Sequence, residues 1–160
     1  MPLLCERDAS NMQIADLTFS TNNLLAVAVS ARVDLYTLKQ PESQDDVDFD
    51  KLTPSNQIFK FDDVATAINF RSDGQLLLAG EASGKIQLFE LKNRLALRNY
   101  TMGKNRVNAL SFSDNSRNFL SCANDTCIRY FDIQDSSNSS AIEISSAHSD
   151  NIKKVQFISE

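Results

Sequence analysis

The stretch from Ala65 to Phe89, ATAINFRSDGQLLLAGEASGKIQLF, decides the fold of this 160-residue chain. It holds three short runs rich in apolar residues, and polar residues or glycines separate each run from the next. Short apolar runs bounded by Gly, Asn, Asp or Ser are typical of β-strands joined by tight turns. This stretch therefore predicts the order strand, turn, strand, turn, strand.

The same order recurs along the chain, which makes it a repeat. The spacing apolar-x-x-apolar-x-Phe occurs four times, with steps of 51, 42 and 45 residues. Its terminal phenylalanines are Phe19, Phe70, Phe112 and Phe157. Four strands in about 40–45 residues form the blade of a β-propeller. We predict an all-β fold of about three and a half four-stranded blades, an incomplete ring, with fourth strands at Gln57–Phe61, Ala96–Tyr100 and Ala141–Ile144.

The repeat divides the chain into units near 10–61, 62–101, 102–145 and 146–160. The first step is the longest because residues 39–55 are polar and acidic, which predicts a loop insertion before the fourth strand. The last unit reaches only its first strand, and an open array exposes a sheet edge. We therefore expect either a fragment of a longer protein, the interpretation we favour, or a ring that another chain completes.

The third and fourth units resemble WD repeats, in which a His, a Ser, an Asp and an aromatic residue form a buried hydrogen-bond network. The matching residues here are Ser121, Asp125, Phe131 and His148. The chain departs from the pattern because it contains no Trp and only one His. The resemblance implies a structural blade network at these four residues, less complete than in typical WD repeats.

The second unit carries a narrower resemblance. Phe61-Asp62-Asp63-Val64, followed by Phe70-Arg71-Ser72-Asp73-Gly74 and Leu76-Leu77-Leu78-Ala79-Gly80, is similar to the U3 small nucleolar RNA-associated proteins of the "fifteen" type. This family belongs to the small-subunit processome. The resemblance implies a non-enzymatic scaffold in the nucleolus that acts in pre-rRNA transcription and 18S rRNA processing. The implied partners are other WD-repeat and processome proteins, and pre-rRNA or U3 RNA. The alternative is a generic WD-repeat adaptor, such as a ubiquitin-ligase substrate receptor or a signalling scaffold.

The charge pattern gives one candidate contact surface. The formal net charge of −5 argues against a chain whose whole surface binds phosphates. Propeller geometry would nevertheless place four cations on one face, at Lys60, Lys85, Lys104 and Arg106. These residues are either a local site for RNA or an acidic partner, or ordinary solvated loop charge.

Other chemistry finds little support in the sequence. Gly80 to Lys85 has three residues between its glycines, and Ile86 follows the lysine, so the segment does not match a phosphate-binding loop. The single His148 has no nucleophile pair, and the three cysteines lack zinc-ligand spacing. No run is long enough to span a membrane, and no signal peptide is evident. We expect no enzymatic activity, no cofactor and no metal.

Overall fold

A computed structural model describes residues 13–38, 52–135, 137 and 142–158, except for the side chains of residues 52–58. Within these ranges twelve β-strands form three four-stranded antiparallel sheets. The first sheet contains β1 (Ile14–Phe19), β2 (Leu24–Val29), β3 (Arg32–Leu38) and β4 (Leu52–Lys60). The second contains β5 (Ala65–Phe70), β6 (Leu76–Glu81), β7 (Lys85–Glu90) and β8 (Leu95–Thr101). The third contains β9 (Val107–Phe112), β10 (Asn118–Ala123), β11 (Ile128–Asp132) and β12 (Ile142–Ile144).

Each sheet is a meander in which every strand pairs with the next one along the chain. The first and second turns of every sheet hold a residue with positive φ, and in the first turns it lies four residues after the phenylalanine of the repeat. In the first turns these residues are Asn23, Gly74 and Ser116, and in the second turns they are Ser30, Gly84 and Thr126. The predicted all-β fold of four-stranded blades is confirmed. The described residues include no helix able to cross a membrane.

Strand β4 begins earlier than the sequence predicted. Leu52 pairs with Leu38, and Pro54 pairs with Tyr36, so residues 52–55 belong to the strand. The predicted insertion at 39–55 therefore extends too far at its C-terminal end, and residues 39–51 lie outside the described residues.

Residues 151–158 lie beside β9 and form no strand, although they carry the fourth copy of the repeat. Asn108 Nδ2 donates to the Ile152 carbonyl at 2.8 Å. Phe157 N donates to Ser111 Oγ at 3.3 Å. The second and fifth residues of β5 bind β9 in the same way: Thr66 Oγ1 donates to the Val107 carbonyl at 2.6 Å, and Phe112 N donates to Asn69 Oδ1 at 2.9 Å. The segment therefore occupies the place of a first strand, and no second strand pairs with it among the described residues. The unit boundaries themselves stay a prediction.

The hydrophobic core lies between the sheets and not within any one of them. One cluster joins the first sheet to the second, and another joins the second sheet to the third. In the second cluster Phe119 stacks on Phe131 at 4.7 Å between ring centroids, and Tyr100 meets Phe119 edge-on at 5.0 Å. Because each blade buries its faces against its neighbours, a blade alone would leave them in water.

The side chain–backbone hydrogen bonds between sheets all connect an earlier blade to a later one in the same manner. Within the described ranges, every recorded side chain–backbone hydrogen bond between neighbouring blades uses a side chain of the earlier blade and the backbone of the later one. Asp16 in β1 accepts from Ile68 N at 2.8 Å, for example, and Asn22 Nδ2 donates to the Asp73 carbonyl at 2.9 Å. Each blade thus fixes the position of the blade that follows it.

Candidate interaction surface at the loop end of the blades

The loops that precede each first strand and those that join each second strand to the third lie at one end of the blades, which we call the loop end. Backbone hydrogen bonds connect these loops in sequence. Phe61 N donates to the Ala31 carbonyl at 2.9 Å, and Met102 N donates to the Gly84 carbonyl at 2.8 Å. Asn124 N donates to the Arg106 carbonyl at 3.2 Å. The loop end is therefore held by the backbone itself.

Gly84 allows a close approach between two of these loops. A Cβ built on Gly84 would lie 2.7 Å from the Gly103 carbonyl oxygen and 2.9 Å from the Asn105 carbonyl oxygen. Gly84 also has a φ of +86°, a conformation that L-residues with side chains rarely adopt. The glycine therefore lets loop 82–84 pack directly on loop 102–106.

All four cations predicted for one face lie at the loop end. Lys60 is the last residue of β4, and Lys104 and Arg106 lie in the loop before β9. All three side chains are exposed. Lys85 differs because its Nζ lies 3.1 Å from Asp62 Oδ2 in an ion pair. The side chains of the three exposed cations have no recorded hydrogen bond or ion pair within the described part of the chain. Their role as contacts stays a prediction.

The residues of the predicted blade network lie in several places. Ser121 is fully buried, and its Oγ donates to Met102 Sδ at 2.8 Å. Phe131 belongs to the aromatic cluster of the core. Asp125 lies in the turn before β11, whereas His148 is exposed in the loop after β12. Among the described residues, no recorded hydrogen bond joins these four side chains to one another, and their shared network stays a prediction.

Asp125 has a set of partners that the sequence did not indicate. Its Oδ2 lies 2.7 Å from Arg129 Nη2, and its Oδ1 accepts from Cys127 N at 3.2 Å. Asn105 Nδ2 donates to the same carboxylate at 3.3 Å, which joins the loop before β9 to the turn before β11. Arg129 Nε in turn donates to Glu143 of β12 at 2.8 Å. The pair anchors three parts of the third blade.

The same environment sets the ionisation of this pair. Burial raises the pKa of Asp125, but the hydrogen bonds from Arg129 and from Cys127 N outweigh burial and hold this pKa below its ordinary value. Burial lowers the pKa of Arg129, and the contacts with Asp125 and Glu143 reverse this effect, so that this pKa is raised. Both side chains are charged at neutral pH, and the ion pair is fully formed there.

The second blade uses different residues at the equivalent place. Glu81 is fully buried, and it accepts from Ser83 Oγ at 3.2 Å and from Gln87 Nε2 at 3.0 Å. Ser83 and Gln87 have the same four-residue separation as Asp125 and Arg129. That shared spacing is the sequence signal that could have identified both clusters.

The inner strands enclose a cleft of about 620 Å³ that β1, β5, β9 and residues 153–157 line. Its lining is largely polar and includes Asp16, Asn69, Ser111 and Lys154. Burial raises the pKa of Asp16, although a hydrogen bond from Ile68 N and the charge of Lys154 oppose this rise. Among the described residues, no group of three or more His, Cys, Asp or Glu could hold a metal ion.

Three four-stranded sheets that pack face to face, with their first strands around one cleft, define the chain as part of a WD-repeat β-propeller. A family model of the N-terminal domain of nucleolar protein 10-like proteins matches residues 2–160. The chain therefore belongs to this family.

Curated relatives support the resemblance that the second unit indicated. The chain is 30% identical over 123 residues to protein SLOW WALKER 1 of Arabidopsis thaliana, which covers 75% of this chain and 21% of the relative. It is 32% identical over 104 residues to U3 small nucleolar RNA-associated protein 15 of Schizosaccharomyces pombe, which covers 64% of this chain and 20% of the relative. The resemblance that the second unit indicated is confirmed. The chain spans about a fifth of the length of these relatives.

A solved structure shows the same fold. One chain in a crystal structure of the mitotic checkpoint complex matches with a TM-score of 0.73 and 18% sequence identity. The match covers 90% of this chain and 40% of that chain. The likeness supports the fold alone.

Proposed function

We propose that this chain is part of a non-enzymatic scaffold subunit of a ribosome-biogenesis particle in the nucleolus. The particle would be the small-subunit processome with its U3 small nucleolar ribonucleoprotein, which processes 18S rRNA. The observation that carries the proposal is the similarity to U3 small nucleolar RNA-associated protein 15, and the match of this chain to the nucleolar protein 10-like family supports it. The relatives' names state an association with U3 small nucleolar RNA and with the nucleolus, and we propose the same association for this chain.

The geometry of the loop end favours binding by a rigid scaffold. Backbone hydrogen bonds fix neighbouring loops to one another, so little conformational entropy remains to be lost when a partner binds. Loops that project from a packed β-sheet core are suited to contacts with several neighbours. The proposed partners are other WD-repeat and processome proteins, with pre-rRNA or U3 RNA as further candidates through Lys60, Lys85, Lys104 and Arg106.

The outward face of the first blade is suited to pack against another propeller blade. The first, fourth and sixth residues of β5 are buried against the first sheet, with exposures of 0%, 3% and 7% for Ala65, Ile68 and Phe70. The equivalent residues of β1 are exposed: Ile14 by 53%, Leu17 by 53% and Phe19 by 59%. The proposed partner of this face is a further propeller blade, from the same protein or from another chain.

A labelling experiment tests that interface in the full-length protein. Leu17→Cys and Leu97→Cys place a thiol at two leucines that are 53% and 48% exposed in this structure. A covering blade would protect Cys at position 17 from maleimide, whereas position 97 on the outer strand β8 would react freely. Equal reaction rates would contradict the closing blade.

The main experiment is a pull-down of the tagged full-length protein from its native cells. The bound RNA is sequenced, and the bound proteins are identified by mass spectrometry. Enrichment of U3 RNA, pre-rRNA and processome WD-repeat subunits is the expected result, together with nucleolar localisation of the tag. RNase treatment separates contacts that depend on RNA from direct protein contacts. Ligase or signalling subunits without these RNAs would replace the proposal with the generic adaptor.

A further inference from the structure

The cations of the loop end differ in how far their charge is already neutralised. Lys85 is paired with Asp62, and Arg129 lies between Asp125 and Glu143. Lys60, Lys104 and Arg106 are exposed, and no carboxylate within the described residues is recorded in contact with them. These three cations are therefore the charges of the loop end that remain available to a ligand.

An apolar contact accompanies these charges. Val64 is 41% exposed in the loop that follows Lys60, and Phe61 of the same loop is half-buried. The Phe61 ring packs edge-on against Phe89, at 5.5 Å between centroids and 89° between planes. An exposed aliphatic side chain in a loop that an aromatic contact anchors, at the same end of the blades as exposed cations, suits a small protein contact with a charged rim.

We propose that the loop end, through Lys60, Val64, Lys104 and Arg106, binds an acidic protein segment that carries an aliphatic residue. The carboxylates of the segment would meet the three free cations, and its aliphatic side chain would cover Val64. This inference rests on the proposed scaffold function and specifies the chemistry of one of its partners. The loop backbone is fixed before binding, so affinity is not lost in ordering it.

The same residues fit RNA less well. Asp62 and Asp63 follow Lys60 in the same loop, and they would repel a phosphate chain, which carries a charge at every nucleotide, whereas a protein segment can place uncharged residues opposite them. Proteins that bind single strands also offer exposed aromatic rings on which bases stack. Phe61 is committed to its contact with Phe89, and no other described aromatic ring in these loops is exposed.

Fluorescence anisotropy with the full-length protein tests the inference at physiological salt. The first probe is a labelled peptide of glutamates around a central pair of leucines, and the second is an oligouridylate of equal net charge. Lys104→Glu with Arg106→Glu reverses the loop-end charge. Lys92→Glu with Arg94→Glu makes the same change at two exposed residues of the β7–β8 turn, at the opposite end of the blade. Lys104→Gln with Arg106→Gln provides a milder variant, and circular dichroism checks that each variant folds.

We expect the loop-end reversal to weaken peptide binding at least about tenfold, and the control reversal to leave it unchanged. Val64→Ser should weaken it roughly threefold, because an apolar contact is lost without a change in charge. Failure of the wild-type protein to bind the peptide would overturn the inference, as would equal losses in the two reversals. RNA binding that is as tight as peptide binding, and insensitive to Val64, would assign the surface to nucleic acid instead. None of these results alters the expected U3 RNA pull-down, so a failure here is separable from failure of the proposed function.

Discussion

Replacing Asp125 by alanine should selectively loosen the third blade. The substitution removes the Arg129 ion pair at 2.7 Å, the hydrogen bond from Cys127 N at 3.2 Å and the one from Asn105 at 3.3 Å. A hydrogen bond to a charged group contributes about 1.5–3 kcal/mol and a neutral one about 1 kcal/mol. Arg129 keeps Glu143 as a partner, so the ion-pair loss falls in the lower part of its range. The hydrogen bonds from Cys127 N and Asn105 are long, at 3.2 and 3.3 Å, and we assign them about 0.5 kcal/mol each, so we expect a total loss of about 2–3 kcal/mol at neutral pH.

Hydrogen exchange measured by mass spectrometry resolves this loss blade by blade. A decrease of about 2–3 kcal/mol in local stability corresponds to roughly 30- to 140-fold faster exchange in β10 and β11. Strands β6 and β7 of the second blade serve as an internal reference. Asp114→Ala is the matched control, because Asp114 is an exposed aspartate in the same sheet, with no hydrogen bond recorded among the described residues.

The effect of Asp125→Ala should also depend on pH. The folded pKa of Asp125 lies below its unfolded value, so its carboxylate stabilises the fold above the unfolded pKa of about 3.9. This contribution is lost as pH falls from there through the folded pKa. The wild-type protein and the variant should therefore converge in stability under acid conditions. Unchanged exchange of β10 and β11 at neutral pH would refute the anchoring role of Asp125.

Three further substitutions or treatments probe the packing. Gly84→Ala should destabilise the full-length protein by about 1–3 kcal/mol in thermal melts, more than Gly103→Ala, whose added Cβ meets nothing closer than 4.0 Å; equal costs would contradict the close loop contact. Phe119→Ala should cost about 3–5 kcal/mol, because the ring is fully buried in the aromatic cluster, and a loss under 1 kcal/mol would exclude that packing. Burial raises the pKa of Cys122 to about 11, so iodoacetamide at pH 8 should modify it only after unfolding, and rapid modification of the native protein would disagree.

The sequence predicts the strands well where the same pattern of apolar and turn residues recurs from one unit to the next. The strand, turn, strand, turn, strand order predicted for Ala65–Phe89 matches β5, β6 and β7, because apolar residues and turn residues fix both ends of each strand. The start of β4 was missed because Pro54 and polar neighbours read as loop. Proline is nevertheless acceptable in β4, since this strand is at the outer edge of its sheet.

The candidate site was less predictable because its contacts join distant positions. Arg129 and Glu143 meet through the pairing of β11 with β12, and Ser121 reaches Met102 in the preceding loop. Neither contact leaves a pattern in a single repeat. Lys85 looked equivalent to Lys104 and Arg106 by charge and position, and only the structure distinguishes it through its ion pair with Asp62.

The hydrogen bonds between blades, in which the earlier blade supplies the side chain and the later blade the backbone, affect how the chain can fold during its synthesis. The amide of Asn69 and the hydroxyl of Ser111 are synthesised before the segments that they bind, Val107–Phe112 and residues 152–157, leave the ribosome. Each finished blade is thus a template with its polar groups already directed at the next segment to emerge. Folding of this chain can advance from the amino terminus in step with translation, and no completed blade has to rearrange to admit its successor.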